Sequence, residues 1–523
     1  MTDRLDEQSA AADAARLGGQ TLIVFGGNLF TLVAGLPFQI YLARTLGAEQ
    51  LGSYGLAEAA VTTLGGLSAL GVAPTVVRFI PQHLIRGEHA HVHALMLWST
   101  LLLLGVGGAL ALLIRAFVEP FLAWREINPG VAPLVSVLAL TAPIGILTFL
   151  YQQILRGFQE ILVMILATSV FSLALKIALT LLLLNAEWGV QGYALAVVVS
   201  GAATLGILAI AAWRLALRLP REDMAESPPF RRWTRFGLLM YTNVLVGSVV
   251  QYLDRFIVGT LLGPASVAVL MVTKQLVQLP MVLNQGFLTV VSPMFAAATA
   301  VGDVGRRQTQ YHLMNDWVVR LALPLVLFIV VFSGPMLDLY GREFQQNGVP
   351  LLLLGLLATT ANFGCGPLGN LLTMSGEELA LLRFSVLSTI LMIAGYFALI
   401  PAFGLVGVAL SQLAVALFLN GITLRLANRR LGFRWWNPRY RKWIAPNCLA
   451  LATYLTFRVA MGSDAGRLLE TALALSLALA AGYGLAVLAA IGLGLSPDDR
   501  AVVEAVISRV SLLHRSLTAR AGK

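Results

Sequence analysis

The sequence predicts an all-α polytopic membrane protein of about 14 transmembrane helices, with two six-helix lobes related by an internal repeat and two further C-terminal helices. Three observations indicate this fold class. Hydrophobic residues make up 58% of the 523 residues and charged residues only 12%, about half of the roughly 25% usual in soluble domains. The mean hydropathy is +0.80. Long apolar runs also recur along the chain, and two stretches repeat each other.

Fourteen apolar runs are long enough to cross a bilayer as helices, which takes roughly 20 residues. They lie near 22–42, 54–80, 92–115, 131–154, 161–184, 189–213, 235–261, 266–295, 313–333, 349–374, 381–400, 404–425, 442–460 and 467–492. The first twelve form the predicted lobes 21–215 and 235–426, separated by the charged linker 216–234. The last two occupy 427–492. We expect 1–20 to be a cytoplasmic tail without a signal peptide, because it is polar and mixed in charge, and 493–523 to be an amphipathic cytoplasmic tail.

Two pairs of segments carry the internal repeat. TLGAEQLGSYGL from Thr45 matches LLGPASVAVLMV from Leu261, and WGVQGYAL from Trp188 matches FGLVGVAL from Phe403. A hydrophobic chain duplicated at this length is typical of transporters built from two equivalent bundles, with the substrate site between them. The repeat therefore favours a transporter among membrane proteins.

The orientation follows from basic residues in the short loops, which are enriched on the cytoplasmic side. With the amino terminus inside, 26 Lys and Arg residues fall on the cytoplasmic side and 6 on the opposite side. We therefore expect both termini in the cytoplasm. The net charge of +10 reflects this topology, and we do not interpret it as nucleic-acid binding.

Ionisable side chains inside apolar spans are costly and tend to face a cavity or a partner. Lys176 and Arg320 lack a polar stripe, and we interpret them as snorkelling or structurally paired side chains. On the first two helices of each lobe, polar residues share one face at helical spacing. The four stripes are Asn28, Thr31, Gly35 and Gln39; Tyr54, Glu58, Thr62 and Gly65; Asn243, Gly247, Gln251 and Asp254; and Lys274, Gln278, Met281 and Gln285. They predict a wet cleft between the lobes, with polar contacts between packed helices as the alternative.

The repeat makes Glu58 equivalent to Lys274 and Gln39 equivalent to Arg255. A carboxylate in one half thus corresponds to an ammonium in the other, and we expect Glu58 and Lys274 to approach each other across the pseudo-twofold axis as a gate. The alternative is a coupling-ion site at Asp254 or Glu58, because a cation-driven antiporter needs a carboxylate that binds and releases Na⁺ or H⁺.

Two segments resemble a known family. IYLARTLGAEQLGSYGLAEAAV from Ile40 resembles the first-to-second-helix signature of bacterial polysaccharide flippases, and YLDRFIVGTLLGPASVAVLMVTKQLVQLP from Tyr252 resembles their seventh and eighth helices. These Wzx-type flippases belong to the multidrug/oligosaccharidyl-lipid/polysaccharide (MOP) exporter superfamily. The resemblance covers helices one to twelve, with departures at Ala268 and Leu270. It implies translocation of undecaprenyl-pyrophosphate-linked oligosaccharides across the bacterial cytoplasmic (inner) membrane, for O-antigen, exopolysaccharide or capsule.

A pyrophosphate headgroup favours guanidinium and ammonium donors. The predicted substrate-binding residues of the cleft are Arg255, Lys274, Arg44, Arg78, Asn28, Gln39, Gln251, Gln278 and Gln285. The predicted gate and ion-coupling residues are Glu58, Asp254 and Lys274. A multidrug exporter of the same superfamily is the alternative, although cationic drugs favour sites rich in carboxylates and aromatic rings.

The sequence contains no Walker A loop, HExxH or GxSxG motif. We therefore expect a transporter and no enzyme, with a membrane-embedded glycan polymerase or ligase as the alternative. We expect no cofactor besides a coupling ion, and a monomer whose partners are lipid-linked oligosaccharide, membrane lipids, a polysaccharide polymerase and a chain-length regulator. For the histidines at 83, 89, 91 and 93, a solvated cytoplasmic loop is favoured over a metal site.

Overall fold

The computed structural model describes residues 2–67, 70–118, 131–220, 227–300, 304–365, 368–374, 377–432, 438–462 and 468–492. Every regular element in these ranges is a helix, which confirms the predicted fold class. Contacts group the chain into two compact units, Met1–Ala268 and Val269–Lys523. The predicted lobes divide earlier, at the linker 216–234, and their boundaries stay a prediction. The predicted C-terminal tail, 493–523, lies outside the described residues.

The first unit is built from helices of very different lengths. They are α1 (Thr2–Leu67), α2 (Val72–Ile85), α3 (His89–Leu113), α4 (Val131–Leu138), α5 (Thr141–Gly157), α6 (Ile161–Ile165), α7 (Ser172–Asn185), α8 (Gly189–Leu217) and α9 (Phe230–Leu262). Two π-helical turns, Ile114–Val118 and Leu166–Phe171, extend α3 and join α6 to α7.

Helix α10 (Pro264–Ala300) begins at the end of the first unit and continues into the second. The second unit continues with α11 (Val304–Val331), α12 (Ser333–Asp338), α13 (Arg342–Cys365), α14 (Leu368–Met374), α15 (Glu378–Phe403), α16 (Leu405–Leu431), a 3₁₀ turn (Pro438–Trp443), α17 (Ile444–Ala460) and α18 (Leu468–Gly492).

Ten helical segments in the described part of the chain are long and apolar enough to cross a membrane, so the protein is a multi-pass membrane protein. The predicted number of fourteen is not confirmed. Helices also occupy the predicted spans 235–261, 349–374 and 442–460, but these three segments are outside the ten. Helix α17 has only 17 residues, at the lower limit for a span.

The prediction that one continuous helix forms the second span, 54–80, is wrong. Helix α1 runs through its first part to Leu67, and α2 covers its second part from Val72. The break between α1 and α2 packs closely against α9. A Cβ atom added at Gly71 would lie only 1.9 Å from the carbonyl oxygen of Gly237 on α9. Pro74 falls in the first turn of α2, where its missing N–H is tolerated. Close approach of two backbones thus decides where the helix divides.

The repeated glycines adopt the same backbone conformation in both halves. Gly47, at the kink inside α1, has φ 71° and ψ 172°, and its repeat equivalent Gly263 has φ 86° and ψ 172°. Side chains other than hydrogen avoid this region. In the second repeated segment, Gly189 and Gly404 have φ of 54° and 57°. The sequence repeat therefore corresponds to repeated turns between helices.

The packing centre of the first unit lies among α2, α3, α5, α8 and α9. Fully buried side chains there include Ile80, Met96, Leu150, Leu208 and Trp233. Lipid tails are as apolar as these side chains, so close packing rather than exclusion of water holds helices together in a membrane.

The histidines predicted to occupy a solvated loop lie instead on helices, and that interpretation is wrong. His83 is in the last turn of α2 and is buried, while α3 begins at His89 and includes His91 and His93. The connection between the two helices is only 86–88, which leaves no room for a histidine-bearing loop.

Candidate functional site

The predicted polar stripe of the second span forms the base of a charged cluster in the first unit. Glu58 lies on α1, one turn beyond Tyr54, after the Gly47 kink. The Tyr54 hydroxyl donates a hydrogen bond to Glu58 Oε1 at 3.2 Å. The Thr62 hydroxyl, one turn further, donates to the Glu58 backbone carbonyl at 2.7 Å. Spacing by four residues along one helix face is sufficient to bring these groups together.

The main partner of the Glu58 carboxylate within the first unit is Arg255 of α9. Arg255 Nη1 donates to Glu58 Oε2 at 2.8 Å, with the arginine side chain 19% exposed and the glutamate 33% exposed. A charge-assisted hydrogen bond of this length is among the stronger polar contacts in proteins. The two side chains are exposed enough for a polar ligand to contact them. They are also buried enough that water screens their charges only in part.

Asp254 precedes Arg255 and is buried. Its Oδ1 accepts the backbone N–H of Arg255 at 2.8 Å, so the carboxylate contributes to holding the backbone of α9 beside Arg255. The predicted ion-coupling role of Asp254 stays a prediction.

Lys176 of α7 also belongs to this region, which its sequence context did not predict. Its ammonium lies 5.9 Å from the centre of the Phe38 ring and interacts electrostatically with the Glu58 carboxylate. Lys176 is the single charged residue of the candidate span Ile161–Asn185. That isolation was an available signal, since a lone charge in a span is retained at a cost.

Buried aromatic rings pack beside these charged side chains. The ring of Tyr193, on α8, lies 4.6 Å from the ring of Tyr54 and 6.3 Å from that of Phe38. Both tyrosines are 3% exposed. We call the set of Tyr54, Glu58, Lys176, Tyr193 and Arg255 the Glu58 cluster. It combines one carboxylate and two cations with an aromatic surface.

The second half of the repeat lacks the tyrosines. Leu270 and Val408 are the repeat equivalents of Tyr54 and Tyr193, and both are fully buried. Lys274 replaces Glu58 in the same way. The repeat therefore preserves the helices and turns while the polar chemistry of this position differs between the halves.

The other predicted site residues have varied surroundings. In the first unit Asn28 and Arg44 are exposed and Gln39 is half-buried, while the Arg78 guanidinium lies 4.5 Å from the Phe236 ring centre. In the second unit Lys274 is half-buried and Gln278 exposed. The side chains of Gln251 and Gln285 lie outside the described residues. The roles of all these residues, and the approach of Glu58 to Lys274, stay predictions.

Arg320 in the second unit has a structural partner. Its Nη2 lies 2.5 Å from Asp316 Oδ2, one turn earlier on α11. The indole N–H of Trp443 donates to Asp316 Oδ1 at 2.8 Å. This network joins α11 to the 3₁₀ turn before α17, which agrees with the interpretation of Arg320 as a structurally paired charge.

Solved structures of two transporters share this fold. An inward-facing multidrug resistance MATE family transporter of the MOP superfamily is 16% identical, with a TM-score of 0.67, and the match covers 79% of this chain and 98% of that chain. The lipid II flippase MurJ, in an inward closed conformation, is 13% identical, with a TM-score of 0.62, covering 88% and 98%. The fold is thus that of the MOP-superfamily transporters.

The family described as polysaccharide biosynthesis protein matches residues 17–299, more than half of the chain. The protein belongs to this family. A Shigella flexneri relative named "Putative O-antigen transporter" is 24% identical over 423 residues, which cover 78% of this chain and 96% of the relative. The matched family range includes every residue of the Glu58 cluster.

Proposed function

We propose that this protein is a flippase that carries polyprenyl-pyrophosphate-linked oligosaccharide units across the bacterial cytoplasmic membrane by alternating access. The observation that carries the proposal is the Glu58 cluster, in which Arg255 pairs with one carboxylate and Lys176 interacts with it electrostatically, within the family-matched range. Its two cations suit a pyrophosphate, whose oxygens accept hydrogen bonds from a guanidinium and attract an ammonium. The fold and the Shigella flexneri relative support transport of a lipid-linked glycan.

The ion pair suggests how binding and transport are linked. A pyrophosphate that hydrogen-bonds to Arg255 competes with the Glu58 carboxylate, which lies 2.8 Å from the same guanidinium. Once Glu58 loses this partner, its negative charge is compensated by a proton or a sodium ion. Substrate binding and coupling-ion binding thereby become parts of one exchange. Lys274 closes the gate from the other half in this scheme, and Asp254 is the alternative ion site.

A multidrug exporter is the second candidate, favoured by the structural likeness to a MATE family transporter. The aromatic pair Tyr54 and Tyr193 would suit a cationic drug. However, the carboxylate needed to attract such a drug is already neutralised by Arg255. The third candidate is a glycan polymerase or ligase, which requires catalytic groups. The Glu58 cluster disfavours it, because its ion pair and aromatic rings are arranged to bind a ligand.

The setting of this function follows from the sequence. We infer that both termini lie in the cytoplasm and that the protein works as a monomer in the bacterial inner membrane. A polysaccharide polymerase and a chain-length regulator act on the translocated units at the outer face of the membrane.

The decisive experiment removes this protein from its host and locates the lipid-linked oligosaccharide with a membrane-impermeant glycosidase or lectin. The material should accumulate on the cytoplasmic leaflet while its synthesis continues, and the wild-type protein should restore delivery. Arg255→Gln should restore little. The matched substitution Arg458→Gln should restore delivery, because Arg458 lies on α17 and donates to the nearby Gly462 carbonyl oxygen. Periplasmic accumulation of unpolymerised units would favour the polymerase, and normal delivery with lost drug efflux would favour the exporter.

A further inference from the structure

Three side chains with metal-binding donor atoms meet where α2 ends and α3 begins. His83 lies in the last turn of α2, Glu88 directly precedes α3, and His91 lies in the first turn of α3. One donor atom of each residue lies within 4.8 Å of the other two. We propose that His83, Glu88 and His91 bind a divalent transition-metal ion, with Zn²⁺ as the best match to two imidazoles and one carboxylate.

The distances fit a metal site after a small adjustment. His91 Nδ1 lies 3.6 Å from Glu88 Oε2, close to the separation of about 3.4 Å between ligands of a tetrahedral zinc ion with bonds of about 2.0–2.2 Å. His83 Nδ1 lies 2.5 Å from the same oxygen, a hydrogen-bond distance that must open by about 1 Å to admit the ion. Glu88 is 35% exposed, so its carboxylate has space to move.

The His83 imidazole is buried against aromatic rings. His83 is 5% exposed and lies against the rings of Phe79 and Trp233, with ring centres 6.2 Å and 5.9 Å away. Buried polar atoms normally have hydrogen-bond partners. The Nε2 atoms of His83 and His91 are buried and have none among the described residues. A metal bound at the Nδ1 atoms places the ring proton of each histidine on Nε2, which is then a buried donor that the metal itself does not satisfy.

The backbone between the helices holds the donors in register. Gly87 has φ 74°, a conformation that favours glycine, and it reverses the chain between α2 and α3. The Glu88 N–H donates to the His83 carbonyl oxygen at 2.9 Å. The turn is therefore anchored at the two residues whose side chains supply the donors, which lowers the cost of assembling the site.

Nearby cations set the expected strength of binding. Arg86 interacts electrostatically with Glu88, and the guanidiniums of Arg78 and Arg232 lie 5.5 Å and 5.4 Å from the Phe79 ring centre. All three arginines are exposed, so water screens their repulsion of a divalent ion. We expect three protein ligands, one position open to water, and micromolar affinity. The bound ion would tie the last turn of α2 to the first turn of α3.

The test uses the full-length protein in detergent, prepared without a polyhistidine tag and treated with a chelator. Zn²⁺ is titrated in competition with a chromophoric chelator, Mg²⁺ serves as the hard-cation control, and Co²⁺ provides an absorption spectrum of the coordination geometry. Glu88→Gln and His91→Ala remove ligands. His93→Ala is the matched control, because His93 Nδ1 is already bonded to the His89 carbonyl at 2.9 Å. Glu88→Gln is decisive because this nearly isosteric change at a partly exposed residue leaves the packing around His83 intact.

We expect the wild-type protein to bind one Zn²⁺ with micromolar or tighter affinity and to ignore Mg²⁺. Both ligand variants should bind at least about tenfold more weakly, the loss that even outer partners of metal sites produce, and the control variant should bind normally. The proposal is overturned if wild-type protein binds no Zn²⁺ in this range, if Glu88→Gln binds as tightly as wild type, or if His93→Ala weakens binding as much as His91→Ala.

Discussion

Neutralising either member of the Glu58–Arg255 pair tests whether the charged cluster stabilises the first unit. The relevant variants are Glu58→Gln, Arg255→Gln and the double variant. Each single change leaves one charge facing a neutral amide, and the double change removes both charges. The free energy of unfolding of the four proteins then gives the coupling between the two side chains.

The structure sets the size of the effect. Removing one partner of a fully buried ion pair costs about 3–5 kcal/mol, whereas an exposed pair contributes about 0–1 kcal/mol. Arg255 is 19% exposed and Glu58 is 33% exposed, between these limits. We therefore expect each single variant to lose about 1–3 kcal/mol. Arg255→Gln should cost more than Glu58→Gln. Among the described residues, the unpaired Glu58 carboxylate keeps Lys176 as a cationic neighbour, whereas the amide introduced by Glu58→Gln still accepts from Tyr54.

The measurement is denaturant or thermal unfolding in detergent micelles, followed by tryptophan fluorescence. Glu187→Gln is the matched control, since Glu187 is an exposed carboxylate of the same unit, in the turn before α8, and we expect it to change stability by less than about 0.5 kcal/mol. A coupling of about 1–2 kcal/mol should appear in the double variant. Coupling indistinguishable from zero, or a control variant as unstable as Glu58→Gln, would refute the assignment of Arg255 as the stabilising partner.

Transport of charge-swapped variants separates this pair from the predicted gate. Exchanging the charges of Glu58 and Arg255 tests the contact within the first unit, and exchanging those of Glu58 and Lys274 tests the gate between the repeat halves. Rescue of transport only by the second exchange would mean that the gate acts in transport while Arg255 serves stability. No rescue of the single charge reversals by the Glu58–Lys274 exchange would count against the gate. Two further predictions concern topology and the repeat. A reporter that is active only in the periplasm should stay silent when fused after Lys523, and activity there would overturn the orientation. Gly47→Ala and Gly263→Ala should each destabilise the protein by about 1–3 kcal/mol in unfolding experiments, because both positions have positive φ. The control Gly65→Ala, on a helix with nothing within 4 Å of the added methyl group, should be neutral or stabilising, and equal losses at 47 and 65 would contradict the backbone explanation.

The cluster could be predicted only in part. Helical spacing placed Tyr54 and Glu58 on one face, and their intramembrane position marked Glu58 and Arg255 as functional candidates. Neither observation indicated that these two side chains touch, since the repeat instead paired Glu58 with Lys274. Tyr193 lies in a repeated segment, but a tyrosine between apolar residues is typical of a packing residue and does not indicate a site. The helix of Lys176 has no polar stripe, so the sequence favours a snorkelling or structurally paired side chain at this position.

Composition and local spacing are enough to establish a helical multi-pass membrane protein with duplicated turns at Gly47 and Gly263. These properties depend on residues close together in the chain, which is local information. Tertiary packing decided that Arg255 meets Glu58 from 197 positions away, that the second predicted span divides beside Gly237, and that His83 and His91 face the same carboxylate. Such contacts depend on how close two backbones approach and which side chains fill the space between them. Those quantities arise only when helices distant in sequence pack together.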